Sequence, residues 1–332
     1  MIAIPTEDIS RVADARRRSS QMAAGMGFDE VAIGRIAIAV SELTTNLVKF
    51  GSAGELLLGS FEDETGAGIE AIAVDRGPGL GDVEAAQRDG FSTAGTAGQG
   101  LGAIRRLCSA FEVASWAAGT AVLARVHLPG SGSGSTYISP IAGQVVVPVA
   151  NETVCGDAIS IRPYREGWTV FVADGLGHGP LAAQAAHEAV RLFAFVDQAE
   201  LTDILTAVHE GMRHTRGAAV AVCRRLTDEG IVKYAGVGNI EGRIVTGNDT
   251  KRMVSHAGTA GLAIRRIQQF EYPFSSDSVL VMHSDGLTTT WSESTMPGLF
   301  SAHPTMAAAM LYRQFARGRD DASVVVVRGA RT

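Results

Sequence analysis

Asp174 stands in the run Phe171-Val172-Ala173-Asp174-Gly175-Leu176-Gly177-His178-Gly179. The apolar stretch Trp168 to Val172 reads as a buried strand that carries a carboxylate to its end. Glycine then recurs at 175, 177 and 179, which lets backbone approach a ligand closely. A hard divalent cation is held by carboxylates and backbone carbonyls converging on a rigid edge. Three more aspartates have comparable settings: Asp157 in Cys155-Gly156-Asp157, Asp285 in Met282-His283-Ser284-Asp285-Gly286, and Asp320 in Asp320-Asp321-Ala322-Ser323. Each Asp-Gly pair taken singly is most often a turn. The ordered set of four is the stronger signal, and the expectation is that all four meet around a pair of metal ions.

A second constellation lies nearer the N-terminus. Glu42, Asn46 and Lys49 are spaced i, i+4, i+7 and share one helix face; alone, such spacing usually means a solvated polar surface. Ile69 to Val74 reads as a strand ending at Asp75, followed by Arg76-Gly77-Pro78-Gly79-Leu80-Gly81. Further on, Ala94 to Gly102 is glycine-rich (Gly95, Gly98, Gly100, Gly102) and opens a helix through Ile104 and Leu107. Glycines ahead of a helix expose unpaired N–H groups that can receive phosphate oxygens. A helix Glu/Asn pair, then Asp-x-Gly-x-Gly, then a glycine run is more specific than any part of it.

The elements that position these residues fall on two sides of a Gly/Ser tether, Gly130-Ser131-Gly132-Ser133-Gly134-Ser135, a flexible composition. The reading is a domain at 1–129, a linker at 130–136 and a domain at 137–332, without internal repeat. In the first, Ile36, Val40, Leu43, Leu47 and Phe50 form one apolar stripe on a helix from about Glu30 to Phe50, stopped by Gly51. In the second, strands are expected near 144–149, 155–161, 168–173, 218–226, 231–240, 243–245, 265–274, 278–283 and 323–327. Helices are expected from Pro180 to about Phe195, Thr202 to His214 and Thr305 to Phe315. Strands in runs with helices grouped between them imply an α+β sandwich.

The totals bound the function classes. The chain has 332 residues and a formal net charge of −6, without a Lys/Arg block, so neither a nucleic-acid nor a membrane partner is expected. No N-terminal basic region precedes an apolar core and no apolar run reads as spanning a bilayer, so a cytoplasmic location is expected. Three widely spaced cysteines (Cys108, Cys155, Cys223) fit a reducing compartment and make no zinc pattern.

The N-terminal order resembles the N, G1 and G2 boxes of the GHKL ATPase superfamily over nearly all of residues 1–129. The wording Ser41-Glu42-Leu43-Thr44-Thr45-Asn46-Leu47-Val48-Lys49-Phe50-Gly51 is most similar to the RsbT group of small serine/threonine switch kinases, and Asp89-Gly90-Phe91-Ser92-Thr93 and Gly102-Ala103-Ile104-Arg105-Arg106-Leu107 match it too. The resemblance implies a Bergerat α/β sandwich that binds ATP with Mg²⁺. Asn46 would hold the Mg²⁺ against the phosphates, with Lys49 counted among the nucleotide-binding residues. Asp75 would accept from the adenine amino group, Gly77 and Gly79 would give the base room, and Gly98, Gly100 and Gly102 would close over the phosphates. Glu42 would orient or deprotonate the attacking hydroxyl. No histidine suited to autophosphorylation stands near Glu42, which disfavours a histidine kinase.

Residues 137–329 resemble the metal-dependent 2C-type (PPM) protein phosphatases, nearest the SpoIIE/RsbX branch, with Gly236-Val237-Gly238-Asn239-Ile240 also in its style. This implies an α-β-β-α sandwich and two Mn²⁺ or Mg²⁺ ions, which lower the pKa of a bridging water and clamp phosphate oxygens for in-line attack. Asp174 would bridge both ions, the Gly175 carbonyl would bind one, Asp285 and Asp320 would hold the second, and Asp157 would act directly or through water. Asp321 is an alternative ligand to Asp320, although the family pattern makes the second aspartate a cap. His178 is either a general acid or, more in keeping with its loop, a packing residue. Pro148 to Thr153 lacks the phosphate-binding arginine of the eukaryotic branch, leaving Arg162 or Arg165 as substitutes.

Together the resemblances imply a bifunctional switch of a bacterial stress or sigma-factor partner-switching pathway. It would phosphorylate a STAS-domain anti-sigma antagonist or stressosome-type protein and remove phosphate from the same or a related regulator, with a downstream sigma-pathway regulator as a further partner. The rival reading is a phosphatase whose N-terminal domain is only a nucleotide-gated binding module.

Overall fold

The computed structural model describes residues 1–63, 65–83, 100–132, 141–164, 167–226 and 229–329. The chain forms two compact units: Met1–Ser135 with Met296–Gln314, and Thr136–Thr295 with Phe315–Thr332. Residues 296–314, which sequence order assigns to the second domain, therefore cluster with the first.

In the first unit, β1 (Ile2–Pro5), β2 (Glu55–Asp63), β3 (Gly66–Val74), β4 (Ala110–Trp116) and β5 (Gly119–His127) make one antiparallel sheet in the order β1-β2-β3-β5-β4. Helices α1 (Ser10–Gly25), α2 (Glu30–Phe50) and α3 (Gly100–Leu107) accompany it. α2 starts where the Asp29 carboxylate accepts from the Ala32 N–H at 2.7 Å, a cap that stabilises a helix by about 1 kcal/mol. Its Ile36, Val40, Leu43 and Leu47 enter a core shared with Leu56, Leu58, Ile69, Ala71 and Ile104. Phe50 does not: it is 57% exposed, so the apolar stripe ends one turn early. Gly51 is extended (φ −74°, ψ 144°), not left-handed. A Cβ there would lie 2.7 Å from the Leu47 carbonyl oxygen, so glycine permits this exit from the helix.

α2 is also long and apolar enough, by length and composition, to cross a membrane, which the sequence reading overlooked. Its seven buried residues place it in the unit's core.

Side chains alternate across a strand, and the second face of this sheet is buried as well: Leu57 and Ile72 are at 0%, Leu123 at 2%, Glu70 at 4% and Arg125 at 8%. Helix α6 (Pro304–Phe315), buried continuously from Pro304 to Leu311, makes contacts there. Arg125 donates to Thr305 Oγ1 at 3.0 Å, Gln314 to the Ala118 carbonyl at 2.7 Å and Arg313 to the Ala53 carbonyl at 3.1 Å. A helix apolar all round requires such enclosure.

The second unit is a sandwich of two five-stranded antiparallel sheets. One is β15-β10-β9-β8-β7, built from β7 (Asp157–Tyr164), β8 (Gly167–Gly175), β9 (Ala218–Leu226), β10 (Ile231–Val237) and β15 (Phe270–Pro273). The other is β12-β11-β16-β17-β6, from β6 (Ala142–Val147), β11 (Glu241–Thr246), β12 (Asp249–Arg252), β16 (Ser278–His283) and β17 (Ala322–Arg328). Trp168, Val170, Val172 and Tyr234 from one sheet meet Leu280, Met282, Val325 and Val327 from the other. Helices α4 (Pro180–Val196) and α5 (Leu201–Gly211) pack on the outer face of the first sheet through Ala185, Ala189, Phe193, Leu205 and Val208. The segment expected as one strand over 265–274 is instead β15 alone, preceded by a two-stranded ribbon of β13 (Gly258–Thr259) and β14 (Ala263–Ile264). The whole is α+β, as the sequence implies.

Candidate functional site

The hairpin β7–β8 sets Asp157 directly opposite Asp174, and the Gly175 N–H donates to the Gly156 carbonyl at 2.9 Å beyond them. β16 and β17 run side by side, and Ser284 N–H donates to the Ser323 carbonyl at 3.0 Å, so Asp285 and Asp320 emerge at one end of that pair. Burial raises the Asp174 carboxyl well above the usual carboxylate range, and the charges of Asp157, Asp285 and Asp320 raise it further. The other three carboxylates thus all act on Asp174. Asp157, 2% exposed, is raised for the same primary reason, its burial.

Among the described residues, no three His, Cys, Asp or Glu side chains already surround one point as an ion's ligands. The expected cage is therefore a convergence of carboxylates and not a closed ligand set. Asp157 Oδ2 is buried and has no hydrogen-bond partner. A buried carboxylate oxygen so left is costly, and a hard dication beside it would remove the penalty. On that test the donor set, all oxygen and multiply anionic, fits Mn²⁺ or Mg²⁺.

In the first unit, Glu42 and Asn46 lie half-buried on α2 and Lys49 is exposed. Asp75 follows β3; its N–H donates to the Thr120 carbonyl at 3.1 Å and its Oδ1 accepts from the Gly77 N–H at 2.6 Å. Burial raises the Asp75 carboxyl. The Arg76 N–H donates to the Ser52 carbonyl at 2.8 Å, tying this loop to the residue just past α2. Gly79 has φ +80°, and a Cβ there would collide with the Trp116 carbonyl. Gly79→Ala is therefore expected to cost about 1–3 kcal/mol locally and to weaken ATP binding at least tenfold, about 1.4 kcal/mol, measured by calorimetry; unchanged affinity would remove this loop from the nucleotide site. Gly100 and Gly102 lie in α3, whose Ile104 packs into the core with α2. Gly98 and Asp89 to Thr93 lie outside the described residues.

Two family models match separate stretches of the chain. The family "Stage II sporulation protein E (SpoIIE)" matches residues 165–329, and "Histidine kinase-like ATPase domain" matches 6–126. The serine/threonine-protein kinase RsbT of Bacillus subtilis (strain 168) is 36% identical over 101 residues, 30% of this chain and 76% of RsbT. The chain belongs to the RsbT-type histidine kinase-like ATPase family. Its C-terminal part is a SpoIIE-type phosphatase domain. The phosphoserine phosphatase RsbX of the same organism is 22% identical over 139 residues, 41% of this chain and 69% of RsbX. A solved structure described as "The bacterial stressosome: a modular system that has been adapted to control secondary messenger signaling" shares 26% identity and a TM-score of 0.53, covering 56% of this chain and 98% of its own. The architecture is that of partner switching, a kinase-like domain joined to a metal-dependent serine/threonine phosphatase domain.

Within the SpoIIE-type domain, Asp321 has both oxygens engaged: Oδ1 accepts from the Val149 N–H at 2.8 Å and Oδ2 from the Gly156 N–H at 2.7 Å. It ties two loops together beside Asp157, which leaves Asp320 as the freer neighbour. His178 is mostly exposed, its Nδ1 2.9 Å from Glu152 Oε1. Burial pushes the Cys155 thiol far up, so it carries no thiolate at neutral pH. Arg162 pairs with Thr169, five strand positions from the Asp157–Asp174 pair, or about 16 Å, so it is not a substitute phosphate ligand. Arg165 lies outside the described residues.

Two residues went unrecognised in the sequence. Asn239 donates to Asp285 Oδ2 at 2.6 Å, which orients that carboxylate; the left-handed Gly238 just before it, φ +99°, is the local signal. Arg317 acts electrostatically on Asp285 from the loop after α6.

Proposed function

We propose that this chain is a cytoplasmic bifunctional switch: its RsbT-type domain phosphorylates serine or threonine on a STAS-domain or stressosome-type regulator, and its SpoIIE-type domain hydrolyses the phosphoester. The observation that carries this reading is the co-occurrence, in one chain, of three carboxylates acting on Asp174 and an RsbT-type domain with Glu42 and Asn46 on one helix. Bound Mn²⁺ or Mg²⁺ would supply an activated water and neutralise charge on phosphorus. Asp174, Asp157, the Gly175 carbonyl, Asp285 and Asp320 would hold the ions, with Asn239 fixing the Asp285 carboxylate. In the other domain Asn46 would bind Mg²⁺, Asp75 the adenine, and Lys49, Gly77, Gly79, Gly98, Gly100 and Gly102 would line the nucleotide. Glu42 would position the acceptor hydroxyl. Joining both activities in one polypeptide raises the local concentration of a shared substrate.

The test is phosphate transfer from radiolabelled ATP to STAS proteins, followed by its Mn²⁺-dependent removal. Glu42→Ala is expected to lower transfer at least about 100-fold, the scale of a general base, while ATP still binds and dephosphorylation persists. ATP binding by the wild type without transfer to any STAS protein would favour the nucleotide-gated reading instead. That alternative draws on Arg76, next to Asp75, which donates to the Arg313 carbonyl in α6 at 2.9 Å and so gives the nucleotide loop a second partner.

A further inference from the structure

The carboxylate end of the SpoIIE-type domain is strongly anionic, yet a phosphoserine ester carries about −1.5 to −2 charge at neutral pH. A cation at this end would favour its entry, and Arg216 is so placed. β8 and β9 are paired so that Asp174 faces Ala219 and Gly175 faces Ala218, which sets Arg216, two residues ahead of Ala218, at the same end as Asp174. Beyond the paired strands, the Leu176 N–H donates to the Gly217 carbonyl at 3.0 Å, fastening the residue after Arg216 to the Asp174 loop. The guanidinium lies over that loop: a Cβ on Gly177 would be 3.4 Å from Arg216 Nη1 and 3.8 Å from its Cζ. Gly177 has φ +82° and Gly217 φ +83°, so both segments turn sharply under the side chain.

The turn is braced. Thr215 Oγ1 accepts from the Gly217 N–H at 3.1 Å and donates to the Met212 carbonyl at 2.8 Å. The Arg216 side chain is exposed and, among the described residues, its guanidinium has neither an ion-pair partner nor a hydrogen-bond acceptor. Its neighbours differ in this respect. Arg213 is bound to Glu210 at 2.8 Å, His178 is beside Glu152, and Arg317 donates to the Leu287 carbonyl at 3.4 Å while its charge acts on Asp285.

We infer that Arg216 is the side chain that binds the substrate's phosphoryl oxygens. This rests on reading the domain as a phosphatase. Arginine's planar fork matches two phosphate oxygens and stays charged at any working pH. A guanidinium standing over the glycine loop, three residues along the chain from Asp174, is within reach of an oxyanion held at that carboxylate. Gly177, having no side chain, leaves the approach open.

The experiment uses the full chain with Mn²⁺ and three proteins: wild type, Arg216→Ala and Arg216→Lys. Inorganic phosphate binding is measured by calorimetry, and hydrolysis of p-nitrophenyl phosphate and a phosphoserine peptide is resolved into kcat and KM. Arg216→Ala is expected to weaken phosphate binding and raise the peptide KM about tenfold or more, with kcat within about threefold and the half-saturating Mn²⁺ concentration unchanged; Arg216→Lys should recover part of the loss. Phosphate affinity and KM within twofold of wild type would overturn the assignment. So would a change confined to Mn²⁺ saturation, which would make Arg216 a brace for the metal loop. Wild-type turnover reports on the phosphatase reading separately: a wild type that hydrolyses neither substrate but loses phosphate affinity in Arg216→Ala would sink that reading and leave the anion site standing.

Discussion

Asp174→Asn is expected to abolish most phosphoester hydrolysis and, in EDTA, to unfold later than the parent chain. The two effects have one cause. Asp174 is half-buried beside Asp157 and feels Asp285 and Asp320, so its ionised form is unfavourable in the folded chain. Replacing it by a neutral isostere relieves that repulsion, worth about 1–2 kcal/mol on the scale of a pKa unit. The same change removes the carboxylate expected to bridge two ions. Losing residues that merely support a metal ligand costs about 10–100-fold in metal affinity or activity, so losing the ligand itself should cost at least about 100-fold. Turnover of p-nitrophenyl phosphate with Mn²⁺, and urea unfolding in EDTA, check the two halves. Hydrolysis at wild-type rate would take Asp174 out of the centre. Stability gained where function is lost is the expected signature of a site that stores strain.

Glu70→Ala should be the most damaging single change in the RsbT-type domain. Glu70 on β3 faces Arg125 on β5, and Arg125 donates to Glu70 Oε2 from two nitrogens, at 3.0 and 2.8 Å. Both side chains are buried. Burial raises the Glu70 carboxyl, and Arg125 counters that. Truncating the acid leaves a guanidinium out of water without its main partner, which costs about 3–5 kcal/mol. Thr305→Val, which removes only the 3.0 Å contact from Arg125, should cost about 1 kcal/mol. Urea denaturation of the full chain, followed with ATP binding, distinguishes them: the transition of this unit should fall well ahead of the other in Glu70→Ala. Equal midpoints for the two variants would show that the pair contributes nothing net.

What could be read from the residues alone depended on how strongly burial marks them. α2 was legible because its buried residues are large and recur with helical period; α1 was not, because the residues it buries are Ala15, Ser19 and Ala23. Those positions are one helical face, but small side chains leave no hydrophobic trace against Arg16, Arg17 and Arg18. β2, β4 and β5 mix apolar residues with charge, alanine or glycine and show no clean alternation, and β12 is a four-residue polar edge. Asp157 and Asp174 were legible as candidate ligands from their motifs; that they face each other comes from the β7–β8 register. Asn239 and Arg317 were not legible, because each reaches Asp285 from a loop whose path is set by a glycine with positive φ or by tertiary contacts that no periodicity encodes. Phe50 completed a spacing and still faces outward: period says which residues share a line, not how far the neighbouring layer extends.

The excursion of residues 296–314 into the first unit bears on how this polypeptide can be dissected or recombined. A fragment ending at the Gly/Ser stretch would keep every strand of its sheet and yet lose the helix that contacts Arg125, Ala118 and Ala53 on it. The complementary fragment would carry an oily helix with its enclosure gone. Neither piece is a cassette, and swapping one half for a homologue would need the helix to travel with the sheet it covers. Expressed alone, the N-terminal fragment is expected to aggregate, whereas co-expression with a chain supplying 296–314 should restore a soluble particle.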